Sequence, residues 1–354
     1  MERREENRIV RTVCALGGVL SMINRFYTRP VNLRKGEDTM SEMSNALHEV
    51  PAQPVEDPPP SQDLAELISE SHLKAQESEK GARENSSVNQ LEYFGFETHP
   101  FSDSVNPEFF YGSSVHETAF KKMSMTIQED ISLGLVHGAS GTGKTLMSLM
   151  LLKHLNPAEY RTVMVLVTPG MSKTSLLKEI LRELIEENDN LPSQTQALID
   201  LLHSRIIDLY SQNRKLVILI DEAHFLSSES LHILRTISNL ETPQKKLSTC
   251  ILFAEDLFLR RLSHPSYESL RNRMYLKVQL LPMGPDETSQ YIKFRLLSAG
   301  CKEPIFEDEA FMEIYKSTGG VCRDINRICH NSLMEAFLEK KKRIGKELIK
   351  NVLA

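Results

Sequence analysis

The sequence predicts an α/β fold, in which helices cover both faces of a parallel sheet, followed by a small all-helical C-terminal domain. Between residues 93 and 281, short apolar runs of strand length alternate with amphipathic helical stretches. This alternation is typical of a parallel sheet whose strands are joined by crossover helices. After Pro282 no strong strand pattern remains, and the rest of the chain is predicted to be helical. A length of 354 residues accommodates two such domains.

The first 88 residues differ in composition from the rest and are predicted to be a largely disordered extension. Between Gly36 and His72 there is no Lys or Arg, and five prolines interrupt any helix. Such a stretch cannot bury enough apolar surface to offset the entropy lost on ordering. We therefore expect an extension over residues 1–88, an α/β domain over 89–281 and a helical domain over 282–354.

Five apolar runs of the central region are predicted strands, and the stretches around them are predicted helices. The strands are residues 131–137, 162–168, 216–220, 248–254 and the weaker 275–280. The helices are residues 144–155, 172–187, 195–210, 228–239, 285–298, 308–317 and 321–338.

Bulk properties narrow the setting in which the protein works. The formal net charge of −6 gives no whole-chain attraction to nucleic acid or anionic lipid, so any such surface must be local. The five cysteines are scattered and contain no Cys-x-x-Cys pair, a pattern typical of reduced thiols. The apolar run over residues 13–23 is too short to cross a bilayer, so we expect a cytoplasmic protein without a transmembrane segment.

Residues 138 to 145 read Gly-Ala-Ser-Gly-Thr-Gly-Lys-Thr and lie between the first predicted strand and the helix that follows. Glycines let the backbone curl so that amide groups face phosphate oxygens, and the helix N-terminus adds its positive dipole. In this pattern the lysine reaches the β- and γ-phosphates and the threonine hydroxyl ligates Mg²⁺. We predict an ATP-binding loop formed by Gly138, Ala139, Ser140, Gly141, Thr142, Gly143, Lys144, Thr145 and Leu146.

A second motif ends the apolar strand 216–220 with two acids, Asp221 and Glu222. Parallel strands end at one edge of the sheet, so we expect both carboxylates beside the phosphate loop. Asp221 is predicted to hold Mg²⁺, and Glu222 to orient and polarise the water that attacks the γ-phosphate. Alone, the acids would fit an ordinary helix N-cap. Together with the loop they predict an ATPase, with His224 as a supporting residue.

The order of further motifs resembles the AAA+ ATPases of the general secretion pathway protein A type, which are related to transposition ATPases. The resemblance extends from Tyr93 to about Leu338. Its segments, besides the two motifs, are Tyr93-Phe94-Gly95-Phe96, Pro100-Phe101, Phe109-Phe110-Tyr111 with His116, residues 234–242, residues 291–300 and residues 319–326. The resemblance implies a helical lid, ATP and Mg²⁺ as ligands, a homo-oligomer, and nucleotide-driven remodelling of a protein or protein–DNA assembly.

The resemblance also implies roles for single residues. Arg323 looks like the sensor-2 arginine, which reaches from the lid to the γ-phosphate. Arg273 matches better than Arg271 the arginine finger that enters a neighbouring subunit's site. For these arginines a surface ion pair is the alternative. Glu255 stands where the family usually has the sensor-1 glutamine, and Cys322 stands where it has a proline, so a sensor-1 role for Glu255 is left open.

Two functions other than remodelling are alternatives for a chain with these motifs. Lys340 to Arg343, with Lys346 and Lys350, form a basic cluster at helical spacing, which would suit an ATP-switched DNA-binding protein that uses hydrolysis as a timer. A solvated helix end explains the same lysines. The third function, a helicase, is disfavoured because the chain has room for only one NTPase core.

Overall fold

A computed structural model describes residues 89–185, 190–301 and 303–354. In this part of the chain, helices cover both faces of a five-stranded parallel sheet, and a helical region follows the last strand. The predicted fold class is thereby confirmed. Residues 90–354 fall within one compact unit. The extension predicted over residues 1–88 lies outside the described residues, and the boundary at residue 282 stays a prediction.

The sheet has the strand order β2-β3-β4-β1-β5. Its strands are β1 (Leu133–Gly138), β2 (Tyr160–Leu166), β3 (Lys215–Asp221), β4 (Ser248–Ala254) and β5 (Met274–Leu280). The prediction for β2 was displaced by two residues, because pairing with β3 already begins where Tyr160 lies opposite Lys215. Both β1 and β4 are buried along their whole length, as expected for central strands of a parallel sheet.

The strand order places β4 between the strands that carry the two nucleotide motifs. The acids follow β3, the phosphate loop follows β1, and β4 pairs with both of these strands. The end of β4, where Glu255 follows, is therefore the neighbour of both motifs. All three strands end at the same edge, so the motifs still meet across one strand width of about 5 Å on each side.

The helices around the sheet are α1 (Gln90–Phe94), α2 (Ser114–Gln128), α3 (Lys144–His154), α4 (Lys173–Arg182), α5 (Thr195–Ser211), α6 (Ser228–Ile237), α7 (Leu257–Leu262) and α8 (Glu268–Arg271). The helices after the sheet are α9 (Pro285–Ser298), α10 (Asp308–Thr318), α11 (Cys322–Leu338) and α12 (Lys346–Leu353). Serines 113, 172 and 227 cap α2, α4 and α6, each accepting a bond from the amide three residues later.

Helix α4 is shorter than the predicted helix over residues 172–187. It ends at Arg182, and the amides of Leu184 and Ile185 both donate to the Leu181 carbonyl, which closes a turn. Residues 186–189 lie outside the described part of the chain.

Three apolar cores hold these elements together. Two of them lie on the two faces of the sheet, and the third joins the C-terminal helices. Four aromatic rings of the segment before α2 are buried in this third core, namely Phe94, Phe96, Phe101 and Phe109. Burying one such ring contributes about 2–3 kcal/mol. The aromatic lead-in of the chain is therefore anchored to the C-terminal helices.

Arg295 on α9 is an unusual member of that third core. Its side chain is only 5% exposed, and its guanidinium packs over Phe109 at 4.6 Å from the ring centroid. Its Nε donates to the Pro100 carbonyl at 2.6 Å and its Nη1 donates to the Tyr291 hydroxyl at 3.1 Å. Backbone and ring contacts thus take the place of a carboxylate partner, and they fix the lead-in against α9.

The basic cluster near the C-terminus is helical only in part: Lys346 and Lys350 lie on α12, whereas residues 340–343 lie outside any helix, so the predicted helical spacing is wrong for those four residues. Helix α11 ends at Leu338, and Lys340 has a φ of 58°, which turns the chain out of the helix. The reason is Ile344, which is fully buried and whose amide donates to the Ile305 carbonyl at 2.8 Å. Lys342 lies 3.7 Å from the centroid of the Tyr93 ring, so this cation is already engaged within the chain.

Two predictions about bulk properties can be compared with the described residues. The cysteines there, at positions 250, 301, 322 and 329, are free thiols, as the sequence predicts. No helix of the described segments is both long and apolar enough to cross a membrane.

Candidate active site

The predicted phosphate loop depends on glycine for two separate reasons. Gly141 and Gly143 have φ angles of +80° and +93°, and residues that carry a Cβ rarely adopt such angles. A Cβ on Gly141 would also lie 2.7 Å from the Cβ of Arg323, and one on Gly143 would lie 3.2 Å from Nε2 of His116. The glycines therefore let the backbone curl and also let two neighbouring residues approach the loop.

Lys144, the first residue of α3, folds back onto the loop. Its Nζ donates to the carbonyls of Gly138 at 3.0 Å and Ala139 at 2.9 Å, and the residue is 6% exposed. Burial lowers the pKa of Lys144, while the carboxylates of Glu222, Glu255 and Asp221 oppose that effect. A cation thus lies within the loop and faces the acids at the ends of β3 and β4.

Asp221 ends β3 and is fully buried. Its Oδ1 accepts a bond from the Glu222 amide at 2.9 Å, whereas its Oδ2 is buried without a hydrogen-bond partner. Burial raises the pKa of Asp221, and the neighbouring Thr145 hydroxyl, the Glu222 amide and Lys144 oppose the rise. A free carboxylate oxygen beside a threonine hydroxyl is a donor set that suits Mg²⁺, which prefers oxygen ligands.

The protein supplies few ligands of its own to such an ion. In the described residues, no group of three or more His, Cys, Asp and Glu side chains could hold a metal. This is compatible with Mg²⁺, because Mg²⁺ usually keeps several waters and binds through one or two protein oxygens together with phosphate. The residues present therefore fit Mg²⁺ brought in with a nucleotide.

Glu222 adopts a strained backbone conformation directly after the strand. Its φ of 54° lies in the left-handed region, which costs about 1–2 kcal/mol for a residue with a side chain. Such strain is concentrated at functional positions. Burial and the nearby Asp221 raise the pKa of Glu222, and Lys144 opposes them. His224 Nδ1 lies 3.4 Å from Glu222 Oε2, so the histidine stands beside the acids, as predicted.

Arg323 brings the C-terminal helices to the loop. Its Nη1 donates to Ser140 Oγ at 2.9 Å, and its backbone amide donates to the Gly141 carbonyl at 3.2 Å. The guanidinium is exposed and acts electrostatically on both Lys144 and Glu222. The residue singled out in the sequence as a lid arginine thus lies against the phosphate loop.

The two arginines before β5 lie elsewhere. The Arg273 guanidinium donates to the side chain of Asn239, and Arg271 donates to the carbonyls of Leu262 at 3.2 Å and Ser263 at 3.1 Å. In the described chain neither arginine contacts the phosphate loop of its own subunit. The finger role of Arg273 stays a prediction.

Sequence reasoning missed two histidine contacts that support the site. His116 Nε2 lies 2.8 Å from the Thr142 carbonyl of the loop. His137, the residue before the loop, lies 2.7 Å from Oδ1 of Asp256, which follows Glu255, and so ties the end of β1 to that of β4. No sequence motif predicts either contact, because the two residues of each pair lie far apart along the chain.

Comparison with known proteins gives two sequence matches. Residues 128–262 match the family described as AAA domain. The chain is 33% identical over 246 residues to general secretion pathway protein A of Aeromonas hydrophila, which confirms the resemblance inferred from the sequence. The match covers 70% of this chain and 44% of that relative, so the chain spans less than half of the relative's length.

Solved structures with a similar fold include ORC and Cdc6 proteins. The ORC2 protein of Aeropyrum pernix, in ADPNP-ADP complexes, has a TM-score of 0.56 at 15% identity, covering 73% of this chain and 71% of that one. Drosophila ORC bound to DNA has a TM-score of 0.55 at 17% identity, covering 77% and 67%. Cdc6p of Pyrobaculum aerophilum has a TM-score of 0.54 at 17% identity, covering 72% and 69%. At these identities the likeness concerns the fold alone.

Proposed function

Because the chain carries an AAA domain and is a relative of general secretion pathway protein A, we propose that it binds ATP with Mg²⁺ and hydrolyses ATP to ADP and phosphate. The observation that carries the proposal is the meeting of a buried lysine with two acids at one sheet edge. Lys144 is electrostatically coupled to Asp221 and Glu222, although 76 residues or more separate it from them in the sequence.

The chemistry follows from the roles that these groups can take. The Lys144 ammonium exchanges the loop carbonyls for phosphate oxygens, and the loop amides surround the β-phosphate. Thr145 Oγ1 and Asp221 Oδ2 would hold Mg²⁺, which supplies positive charge that offsets the charge on the phosphates. Glu222, with its raised pKa, accepts a bond from the attacking water and orients it towards the γ-phosphorus.

Arg323 links this reaction to the C-terminal helices. A guanidinium that bonds to Ser140 can instead pair with the γ-phosphate, and it loses that partner when phosphate leaves. The orientation of α11 would then depend on the nucleotide state. In this proposal the nucleotide cycle drives remodelling of a protein or protein–DNA assembly.

Two substitutions test the ATPase directly. Lys144→Ala should abolish ATP binding, and Glu222→Gln should bind ATP while turning it over at least about a hundredfold more slowly. Lys153→Ala, which removes an exposed lysine from the same helix, is the matched control and should leave both quantities unchanged. ATP hydrolysis at the parental rate in the Lys144 variant would disprove the assignment of this site.

A homo-oligomer follows from the finger proposed for Arg273. We propose that subunits associate so that this arginine completes a neighbour's site, as an arginine finger does. Sizing the protein with and without a non-hydrolysable ATP analogue tests the assembly. A monomer under both conditions would contradict it.

A second candidate function is ATP-switched DNA binding, in which hydrolysis serves as a timer. It is favoured by the fold shared with Drosophila ORC, whose structure is bound to DNA. The case for DNA binding is weakened because two cations of the basic cluster already have partners in the chain: Lys342 contacts Tyr93, and Lys341 lies 2.6 Å from Glu339. Duplex binding measured with and without ATP across a salt series tests it, since phosphate contacts weaken steeply as salt increases. No binding at low salt would exclude this function.

A further inference from the structure

Residues outside the phosphate loop contact it at two points, and both contacts connect the loop to the C-terminal helices. The first is the contact of Arg323 with Ser140 and Gly141. The second passes through the start of α2, where His116 contacts the loop and Ser114 contacts α9.

The imidazole of His116 has a hydrogen-bonding pattern that only one tautomer satisfies. The Thr142 carbonyl can only accept, so Nε2, at 2.8 Å, carries the hydrogen and donates it. Nδ1 of the neutral ring then accepts from the Ser113 hydroxyl at 2.6 Å. The same hydroxyl oxygen accepts from the His116 amide as the N-cap of α2. With 5% of its surface exposed, the ring is held in one orientation by both neighbours.

This imidazole also packs against the residue that precedes the loop lysine. A Cβ on Gly143 would lie 3.2 Å from its Nε2, so ring and backbone are in close contact. Gly143 is the N-cap of α3, which begins with Lys144 and Thr145. A displacement of the imidazole therefore moves the backbone that aims these two side chains.

The other end of the connection lies on α9. Glu287 Oε1 accepts two bonds from Ser114, the first residue of α2, one from the amide at 3.0 Å and one from the hydroxyl at 2.9 Å. Burial alone would raise the pKa of Glu287, but these bonds hold it below its ordinary value, so the group remains a carboxylate acceptor. The start of α2 is thus bonded to a C-terminal helix on one side and to the phosphate loop on the other.

We infer that His116 is a positioning residue for nucleotide binding, which sets the phosphate loop against α2 while Glu287 sets α2 against the C-terminal helices. The orientation of those helices then reaches the loop by a route that does not involve Arg323. This inference rests on the proposed ATP site. Its consequence is that weakening the route lowers ATP affinity and changes the turnover number much less, because none of these side chains touches the reacting atoms.

The test uses two substitutions of His116 in the full chain, with ATP affinity and turnover number measured separately. His116→Phe keeps the ring volume but has no donor for the Thr142 carbonyl, and it should weaken ATP binding about five- to tenfold. His116→Gln places an amide donor near the position of Nε2 and should restore affinity to within about twofold of the parent. Equal losses in both variants, or no loss in either, would overturn the positioning role.

Matched caps separate this role from simple helix stability. Ser113→Ala and Ser172→Ala each remove a serine N-cap, but only Ser113 is bonded to His116. Both should lower the thermal midpoint, and only Ser113→Ala should weaken ATP binding. Equal ATP affinity in these two variants would count against the route.

Lys144→Ala, measured in parallel, distinguishes this inference from the function on which it rests. ATP binding that is lost in Lys144→Ala but intact in His116→Phe overturns only the positioning role. ATP binding that survives Lys144→Ala overturns the ATP site, and the inference falls with it.

Discussion

Replacing Gly141 with alanine tests whether the C-terminal helices are packed against the phosphate loop. The φ of +80° alone makes the substitution costly, because a left-handed alanine is about 1–2 kcal/mol less favourable. The new Cβ would also lie 2.7 Å from Arg323 Cβ and 3.0 Å from Val321 Cγ1. Forcing a methyl group into such a packed contact adds about 1–3 kcal/mol. The expected loss in the free energy of unfolding is therefore about 2–5 kcal/mol.

The chain contains a matched control for the conformational part of this loss. Gly170 has a φ of +83°, and a Cβ there would meet no atom within 4 Å. Gly170→Ala should therefore cost only the backbone strain, about 1–2 kcal/mol. Urea unfolding of both variants, with equal m-values as a check, isolates the packing contribution as the difference between them. A difference below about 0.5 kcal/mol would refute the close approach of α11 to the loop.

Three further predictions concern other parts of the molecule. Arg295→Lys should lower the free energy of unfolding by about 2 kcal/mol. The guanidinium bonds to the Pro100 carbonyl and the Tyr291 hydroxyl while it stacks on aromatic rings, and an ammonium cannot make all of these contacts at once. Burial lowers the pKa of His116, although the loop carbonyl and a nearby carboxylate oppose this effect, so the unfolded chain binds the proton more readily than the folded chain does. The free energy of unfolding should therefore decrease as the pH drops below about 6.5, and it should decrease less in His116→Gln. Arg273→Ala should slow ATP turnover at least about tenfold, and mixing it with Glu222→Gln should restore activity if the arginine acts on a neighbouring subunit.

Each of these predictions has its own control. Arg327→Lys alters an exposed arginine of α11 and should leave unfolding unchanged. Unfolding of His116→Gln with the same pH dependence as the parent would contradict the buried neutral ring. For the finger, Arg271→Ala is the comparison, because that guanidinium bonds to carbonyls of its own chain. Mixtures no more active than their components would argue against catalysis between subunits.

The sequence by itself determined the fold class, most strand positions and the two nucleotide motifs. Apolar runs of strand length follow from burial in a parallel sheet, and a phosphate loop is contiguous in the chain, so both can be recognised locally. Arg323 was found through the resemblance, and it does lie against Ser140. Helical spacing was wrongly expected for Lys340 to Arg343, because the spacing of charges cannot reveal that α11 ends at Leu338 and that Ile344 is buried beyond its end.

Only the tertiary structure decided what surrounds the loop. The order of strands placed β4 between the two motifs, and the packing of distant segments brought His116 and Glu287 into one connection. The glycines illustrate the difference. Sequence explained Gly141 and Gly143 by a curled backbone, whereas the structure shows that they also admit an arginine and a histidine from elsewhere in the chain. Contacts between residues more than 25 positions apart leave no periodic trace in a sequence, because they depend on how completed elements pack.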